Sequence, residues 1–222
     1  MKNTSSLYIL MLLLLFIGAC KKDNKEPPDA TIKGRVVYNG QAVGLRSNGV
    51  QLELWQPGYN LFTKIPVYVA QDGTFSVAVF NGSYKLTRLR GNGPWADNVD
   101  TINVQVNGST DVDVPIDPYF IITNATVQKS GTNVTATFNL QQVNTSRNLE
   151  LVKLYVGRTA ITDQNQNDGS TQKLAAAIPD LNQQISLSVG IPASLGNAGY
   201  LFARIGVKTV SVGEYLYTIP VL

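Results

Sequence analysis

From Ala30 onward the apolar side chains of this chain recur at every second position. Ile32, Gly34, Val36 and Tyr38 alternate with Thr31, Lys33, Arg35 and Val37, and the same beat returns in Val50, Leu52, Leu54, in Ile65, Val67, Val69, and in Phe75, Val77, Val79. It continues through Tyr84 and Leu86, then Ile102, Val104, Val106, then Val112, Val114, Ile116. A period of two sends neighbouring side chains to opposite faces of a strand, so each run buries one face and wets the other. Neither half of the chain carries a long helical period. Asn39-Gly40, Asp72-Gly73, Asn81-Gly82 and Asn107-Gly108 stand between the runs. Such pairs accept positive φ at both central positions, which predicts tight hairpins. Seven short strands so joined make an antiparallel sandwich or a partly open barrel.

Asp117-Pro118 closes this unit, and a second all-β pattern runs over residues 119–222. Its expected strands are 119–127, 134–140, 149–156, 185–189, 200–209 and 215–219, with a short strand or helical turn at 173–178. Six or seven strands suit an immunoglobulin-like sandwich. The expected fold class is therefore all-β, with two tandem antiparallel β-sandwich domains at 30–118 and 119–222. The length agrees, because some 200 residues exceed the usual single-domain size of about 100 to 150.

The amino terminus reads as an address. Lys2 precedes an apolar run at residues 7–17, and Ile17-Gly18-Ala19 precedes Cys20, the single cysteine among 222 residues. The run is too short to span a bilayer as a helix. Small residues before a lone cysteine are what a lipoprotein signal peptidase requires, so residues 1–19 are expected to be a signal peptide and Cys20 the lipidated residue. An ordinary secretory signal cut at Ala19, leaving a free thiol, is the alternative. Residues 21–29 are charged and carry two prolines, a tether that reaches at most about 30 Å.

Removing residues 1–19 takes Lys2 from the 18 Lys and Arg, leaving 17 against 15 acidic residues and a formal charge of +2. Phosphate binding needs clustered cations, and Lys85, Arg88 and Arg90 are a small group that reads as a solvated strand face, so no nucleic-acid partner is expected. No disulfide can form within the chain, and stability must come from packing. The chain has no histidine. Ser-His-Asp and Cys-His machinery and His-ligated zinc are thereby excluded, leaving carboxylate-only mechanisms formally open. No cofactor is indicated.

Thr31-Ile32-Lys33-Gly34-Arg35-Val36, then Gln71-Asp72-Gly73-Thr74-Phe75 and Asn81-Gly82-Ser83-Tyr84-Lys85-Leu86, resemble the carboxypeptidase-regulatory, transthyretin-like (prealbumin-like) fold. With Asp100-Thr101-Ile102 and Pro118-Tyr119-Phe120-Ile121, the chain resembles a two-domain lipoprotein family of Bacteroidetes, associated with starch-utilisation-type loci for glycan import. The resemblance implies a lipid-anchored, non-catalytic outer-membrane accessory protein at the cell surface, with the periplasmic leaflet as the alternative. Such a protein would bind glycan or assist nutrient capture beside a TonB-dependent importer. It carries over no catalytic residue. A fimbria-like surface subunit or a protein–protein scaffold is the alternative, and it would need a terminal strand free to complete a neighbour's sheet.

Trp55 has the outward parity of its strand, with Gln51 and Glu53, and leads into a loop holding Tyr59 and Phe62. Outward aromatic faces suit the axial C–H surface of a sugar ring; capping the rim of its own sandwich is the other role open to Trp55. Trp95 stands in a Gly- and Pro-bearing loop with Asn92, Asp97 and Asn98, able either to present its ring among hydrogen-bonding groups or to wedge between domains. If every connection reverses direction, Trp55 and Trp95 lie at opposite ends of the first domain and share no pocket. Residues 163–169 resemble the start of a calcium loop, but Asp168 stands where the turn needs Gly and Leu174 where a bidentate Glu belongs, so a polar surface loop is expected. Asp111 and Asp113 lie two apart on one strand, roughly 7 Å from each other, and read as solvated charges that keep an edge from pairing.

Overall fold

The structure, a computed structural model, describes residues 26–58, 62–196 and 198–221. Cys20 with its signal segment and Tyr59 lie outside the described residues. Fifteen strands and two three-residue 3₁₀ turns make up the described elements, and the fold is two tandem β-sandwiches.

The first domain contains β1 (Ala30–Tyr38), β2 (Gln41–Ala42), β3 (Gln51–Trp55), β4 (Lys64–Tyr68), β5 (Thr74–Val79), β6 (Gly82–Arg88), β7 (Ile102–Val106) and β8 (Ser109–Pro115). One sheet has β1 in its middle, antiparallel to β2 and β5 and parallel to β8; the other runs β4-β3-β6-β7, antiparallel throughout. Period-two burial is realised residue by residue. Leu52 and Leu54 of β3, Tyr84 and Leu86 of β6, and Val104 and Val106 of β7 are buried, while the residues between them face out.

Three of the four expected hairpins are absent, and the parallel pair follows from that. Asn39-Gly40 joins β1 to β2 within one sheet and has positive φ at both positions, 49° and 75°. Asp72-Gly73, Asn81-Gly82 and Asn107-Gly108 instead arch from one sheet to the other, with positive φ at the glycine alone. The Asp72 carboxylate accepts from the Thr74 amide at 3.0 Å, and the Asn81 side chain accepts from the Gly108 amide at 2.7 Å, so these acidic and amide groups shape arches. Because β8 arrives by an arch from β7, it lands parallel to β1, a departure from the all-antiparallel expectation.

The second domain contains β9 (Phe120–Ser130), β10 (Asn133–Gln142), β11 (Leu149–Gly157), β12 (Gly169–Leu174), β13 (Ile185–Gly190), β14 (Phe202–Thr209) and β15 (Leu216–Tyr217). Its sheets run β13-β10-β9 and β12-β11-β14-β15, all antiparallel. Where a single short strand or turn is expected at 173–178, the chain has both: β12 begins earlier, and a 3₁₀ turn spans Ala175–Ala177. β12 is a polar edge strand that alternates between half-buried and exposed, so it carries little apolar signal.

The domains meet over a buried seam. Tyr217 donates its amide to the Gly44 carbonyl at 2.9 Å, and a side chain at position 44 would stand 2.3 Å from the Tyr217 carbonyl oxygen. Arg46 makes a two-pronged pair with Glu214 across the seam, with Nε to Oε2 at 2.9 Å. Arg204, fully buried, donates Nε to the Thr218 carbonyl at 2.7 Å and Nη2 to the carbonyls of Leu45 at 2.7 Å and Gln71 at 2.8 Å. Its guanidinium lies 4.4 Å from the centre of the Tyr217 ring. Buried apolar residues of both domains belong to one contiguous cluster.

Candidate functional site

The outward face of the β4-β3-β6-β7 sheet brings aromatic, charged and amide side chains together. Leu52 and Leu54 point inward, so Glu53 and Trp55 point outward, and the register sets Trp55 between Lys64 of β4 and Lys85 of β6. Lys64 is held by Glu53, Nζ to Oε1 at 2.7 Å. Phe62, more than half exposed, returns from the following loop to lie 5.1 Å from the Trp55 ring at an interplanar angle of 33°. The two rings form a tilted apolar step on an otherwise polar face.

Beside that step runs a groove of about 320 Å³, lined by Pro57, Ser83, Lys85, Asn103 and Gln105. Ser83 and Gln105 hold each other by a hydrogen bond of 2.5 Å across β6 and β7. Lys85 has no ion pair or hydrogen bond among the described residues and faces Asn103. An apolar step next to hydroxyl, amide and ammonium groups can stack a ring and hydrogen-bond its rim, which is the arrangement a sugar requires.

Of the two roles open to Trp95, the loop gives it the wedge. Trp95 is only 3% exposed and bridges to Pro118, with the Ala96 amide donating to the Asp117 carbonyl at 2.9 Å. Its ring lies flat on Gly93, where an added Cβ would stand 2.2 Å from the indole, so the glycine makes room for the ring. Asn92 is consumed in pinning the loop to β3: its Oδ1 accepts from the Gln51 amide at 2.6 Å and its Nδ2 donates to the Gly49 carbonyl at 3.3 Å. Asp97 accepts from the Gly91 amide at 2.7 Å. The ligand-facing role expected for Trp95, Asn92 and Asp97 is therefore corrected: the ring takes the other role open to it and wedges at the domain junction, Asn92 is spent on β3, and Asp97 closes its own loop. Trp55, the last residue of β3, pairs with Lys85 in the middle of β6, whereas this loop leaves the far end of β6 after Arg88.

The carboxylates are committed as well. Asp113 receives Arg35 in a two-pronged pair, Nε to Oδ1 at 3.0 Å and Nη2 to Oδ2 at 2.6 Å, and the hydrogen bond raises the Arg35 guanidinium above its ordinary value. In the segment 163–169, which resembles the start of a calcium loop, Asp163 Oδ1 accepts from the Asn165 and Gln166 amides at 2.7 and 3.0 Å, and Asp168 pairs with Arg158. Hydrogen bonding to that guanidinium holds the Asp168 carboxyl below the usual carboxylate range. The segment is more than a surface loop, since Thr162 and Asp163 are buried. Among the described residues no cluster of three or more Cys, Asp or Glu could hold a metal ion.

Two family models match the chain, one described as the N-terminal domain of a protein of unknown function (DUF3823), over residues 30–117, and one as its C-terminal domain (DUF3823_C), over residues 120–221. A solved structure of a DUF3823 family protein from Bacteroides ovatus is 40% identical, covers 86% of this chain and 97% of its own, and superposes with a TM-score of 0.81. One from Parabacteroides merdae is 32% identical, covers 88% of this chain and 98% of its own, and also has a TM-score of 0.81. A Bacteroides uniformis protein described as a "putative carbohydrate binding protein" shares the fold at 22% identity and a TM-score of 0.70, covering 87% of this chain and 98% of its own. No curated protein matches.

Proposed function

The chain belongs to the DUF3823 family, and from that premise we propose that it is a lipid-anchored, non-catalytic glycan-binding protein of the outer membrane. It holds a polysaccharide at the Trp55 face and serves nutrient capture beside a TonB-dependent importer. The observation that carries the reading is the Trp55–Phe62 step with the Ser83–Lys85–Asn103–Gln105 groove at its side. A tilted apolar step of two rings offers a surface for the C–H face of a pyranose, and the adjacent side chains supply both donors and acceptors for its hydroxyls. The description of the Bacteroides uniformis relative agrees with this chemistry.

Trp55→Ala is expected to reduce retention on a polysaccharide affinity gel roughly tenfold or more, because a central aromatic anchor is worth about 1.4 kcal/mol or above. The melting temperature should move by no more than about 3 °C, since the residue stands on the outward face. Retention equal to that of the unaltered chain across a panel of glycans would remove Trp55 from the proposal. The anchor has its own test. Full-length protein carrying Cys20→Ala is expected to leave the membrane fraction and to lose radiolabelled palmitate, and a variant still sedimenting with membranes would sink the lipid reading.

A further inference from the structure

On the second domain, β11 ends at Gly157, and the chain then folds back over the outer face of its sheet through residues 158–168. Gly157 permits this, because a Cβ there would stand 2.5 Å from the Thr162 hydroxyl that lies over it. Thr162 in turn donates to the Thr159 carbonyl at 2.7 Å, and the Gln164 amide donates to the Tyr217 hydroxyl at 3.2 Å. With Asp163 accepting from two loop amides, the fold-back is fastened along its length. It borders an open cleft of about 410 Å³ lined by Gly157, Arg158, Asn165, Gln166 and Asp168.

Three features make this cleft fit a sugar. The exposed side-chain amides of Asn165 and Gln166 make no hydrogen bond among the described residues, leaving two carbonyl acceptors and two NH₂ donors turned to solvent. Arg158 and Asp168 cancel each other's charge while keeping a donor and an acceptor side by side, the pattern that neighbouring sugar hydroxyls satisfy. Phe202 is the cross-strand partner of Gly157, and Tyr200, 63% exposed, meets the Phe202 ring edge-on at 5.9 Å. An aromatic pair thus stands next to the cleft, as Trp55 and Phe62 do beside their own groove.

We propose that this cleft and the Tyr200–Phe202 pair form a second contact for an uncharged glycan, so that one chain grips a polysaccharide at two places. The inference rests on the glycan-binding reading of the first domain and extends it. Two contacts on one chain make the second binding event intramolecular, which favours long polymers over short oligosaccharides. The ion-paired lining gives no net charge with which to hold a uronic acid, so neutral chains are the expected ligands.

The test compares four full-length proteins on affinity gels cast with amylopectin, dextran, xyloglucan or laminarin, with pectin as the anionic comparison. They are the unaltered chain, Trp55→Ala, the pair Tyr200→Ala with Gln166→Ala, and the triple variant. The altered side chains are exposed or outward-facing, and equal melting temperatures confirm the fold. Each site alone is expected to give roughly a tenfold loss of retention on one neutral polymer, the triple variant a return to background, and either loss to be much smaller for a short oligosaccharide. If Trp55→Ala loses retention while the Tyr200/Gln166 variant keeps it, the second contact is overturned and the function stands. Loss only in the Tyr200/Gln166 variant removes the Trp55 face, and with it both the first-domain reading and the two-contact inference that rests on it. Retention on pectin alone overturns the neutral-ligand inference, and an unaltered chain retained by nothing overturns both.

Discussion

Arg204→Ala is expected to lower the unfolding free energy by about 3 kcal/mol or more, read as a fall of roughly 6 to 12 °C in melting temperature for a chain of this size. The guanidinium is fully buried and supplies three hydrogen bonds to backbone carbonyls, two of them in the other domain. Truncation leaves the Thr218 and Leu45 carbonyls without a partner among the described residues and takes one of two donors from the Gln71 carbonyl, which keeps the Leu45 amide at 3.0 Å; it also opens a cavity and removes the cation from the Tyr217 ring. Burial pushes the Arg204 pKa down to about 10 against the opposing pull of Tyr217, Asp163 and Asp72, so the side chain still carries its charge at neutral pH. Its balance comes at a distance from Asp163 and Asp72, with no carboxylate in contact among the described residues. Urea titration of both proteins checks the expectation. A loss below about 1 kcal/mol would mean that water reaches the seam and replaces the lost donor.

Gly34→Ala is expected to cost about 3 kcal/mol or more, from a single added methyl group. Gly34 sits in the middle of β1 and pairs with Val112 of the parallel strand β8. A Cβ there would stand 1.8 Å from the Val112 carbonyl oxygen and 3.0 Å from the Phe75 ring. The first contact is with backbone, which cannot swing aside as a side-chain tip can. The strands must separate or slide, and a one-residue slide would turn the inward set of β1 to solvent. Gly213→Ala is the control, because its added carbon meets nothing within 4 Å, and it should stay within about 0.5 kcal/mol of the parent. Comparable midpoints for the two variants would refute the close approach of β1 and β8.

Strand positions were legible because they depend on neighbours in sequence, whereas the joins between strands depend on partners far along the chain. Asn39-Gly40 and Asn107-Gly108 look alike as dipeptides, yet only the first closes a hairpin; the second carries the chain to another sheet. The outward parity of Trp55 could be read from Leu52 and Leu54, but its pairing with Phe62 needed the folded loop. Trp95 misleads for the same reason: glycine, proline and polar neighbours mark a loop, and only the contact with Pro118 shows that the loop is covered. The Gly157–Phe202 register and the seam around Arg204 join residues with no local pattern in common.

The placement of β1 has a mechanical consequence. This strand, the first after residues 26–29, is the middle of its sheet, flanked by six register pairs with β5 and seven with β8. A tug delivered through the preceding segment would run along the strand axis and load both ladders at once in shear, so many hydrogen bonds would have to fail together instead of unzipping singly from an edge. A domain held by its leading end while a long polymer drags on its far surface would be gripped at its strongest line.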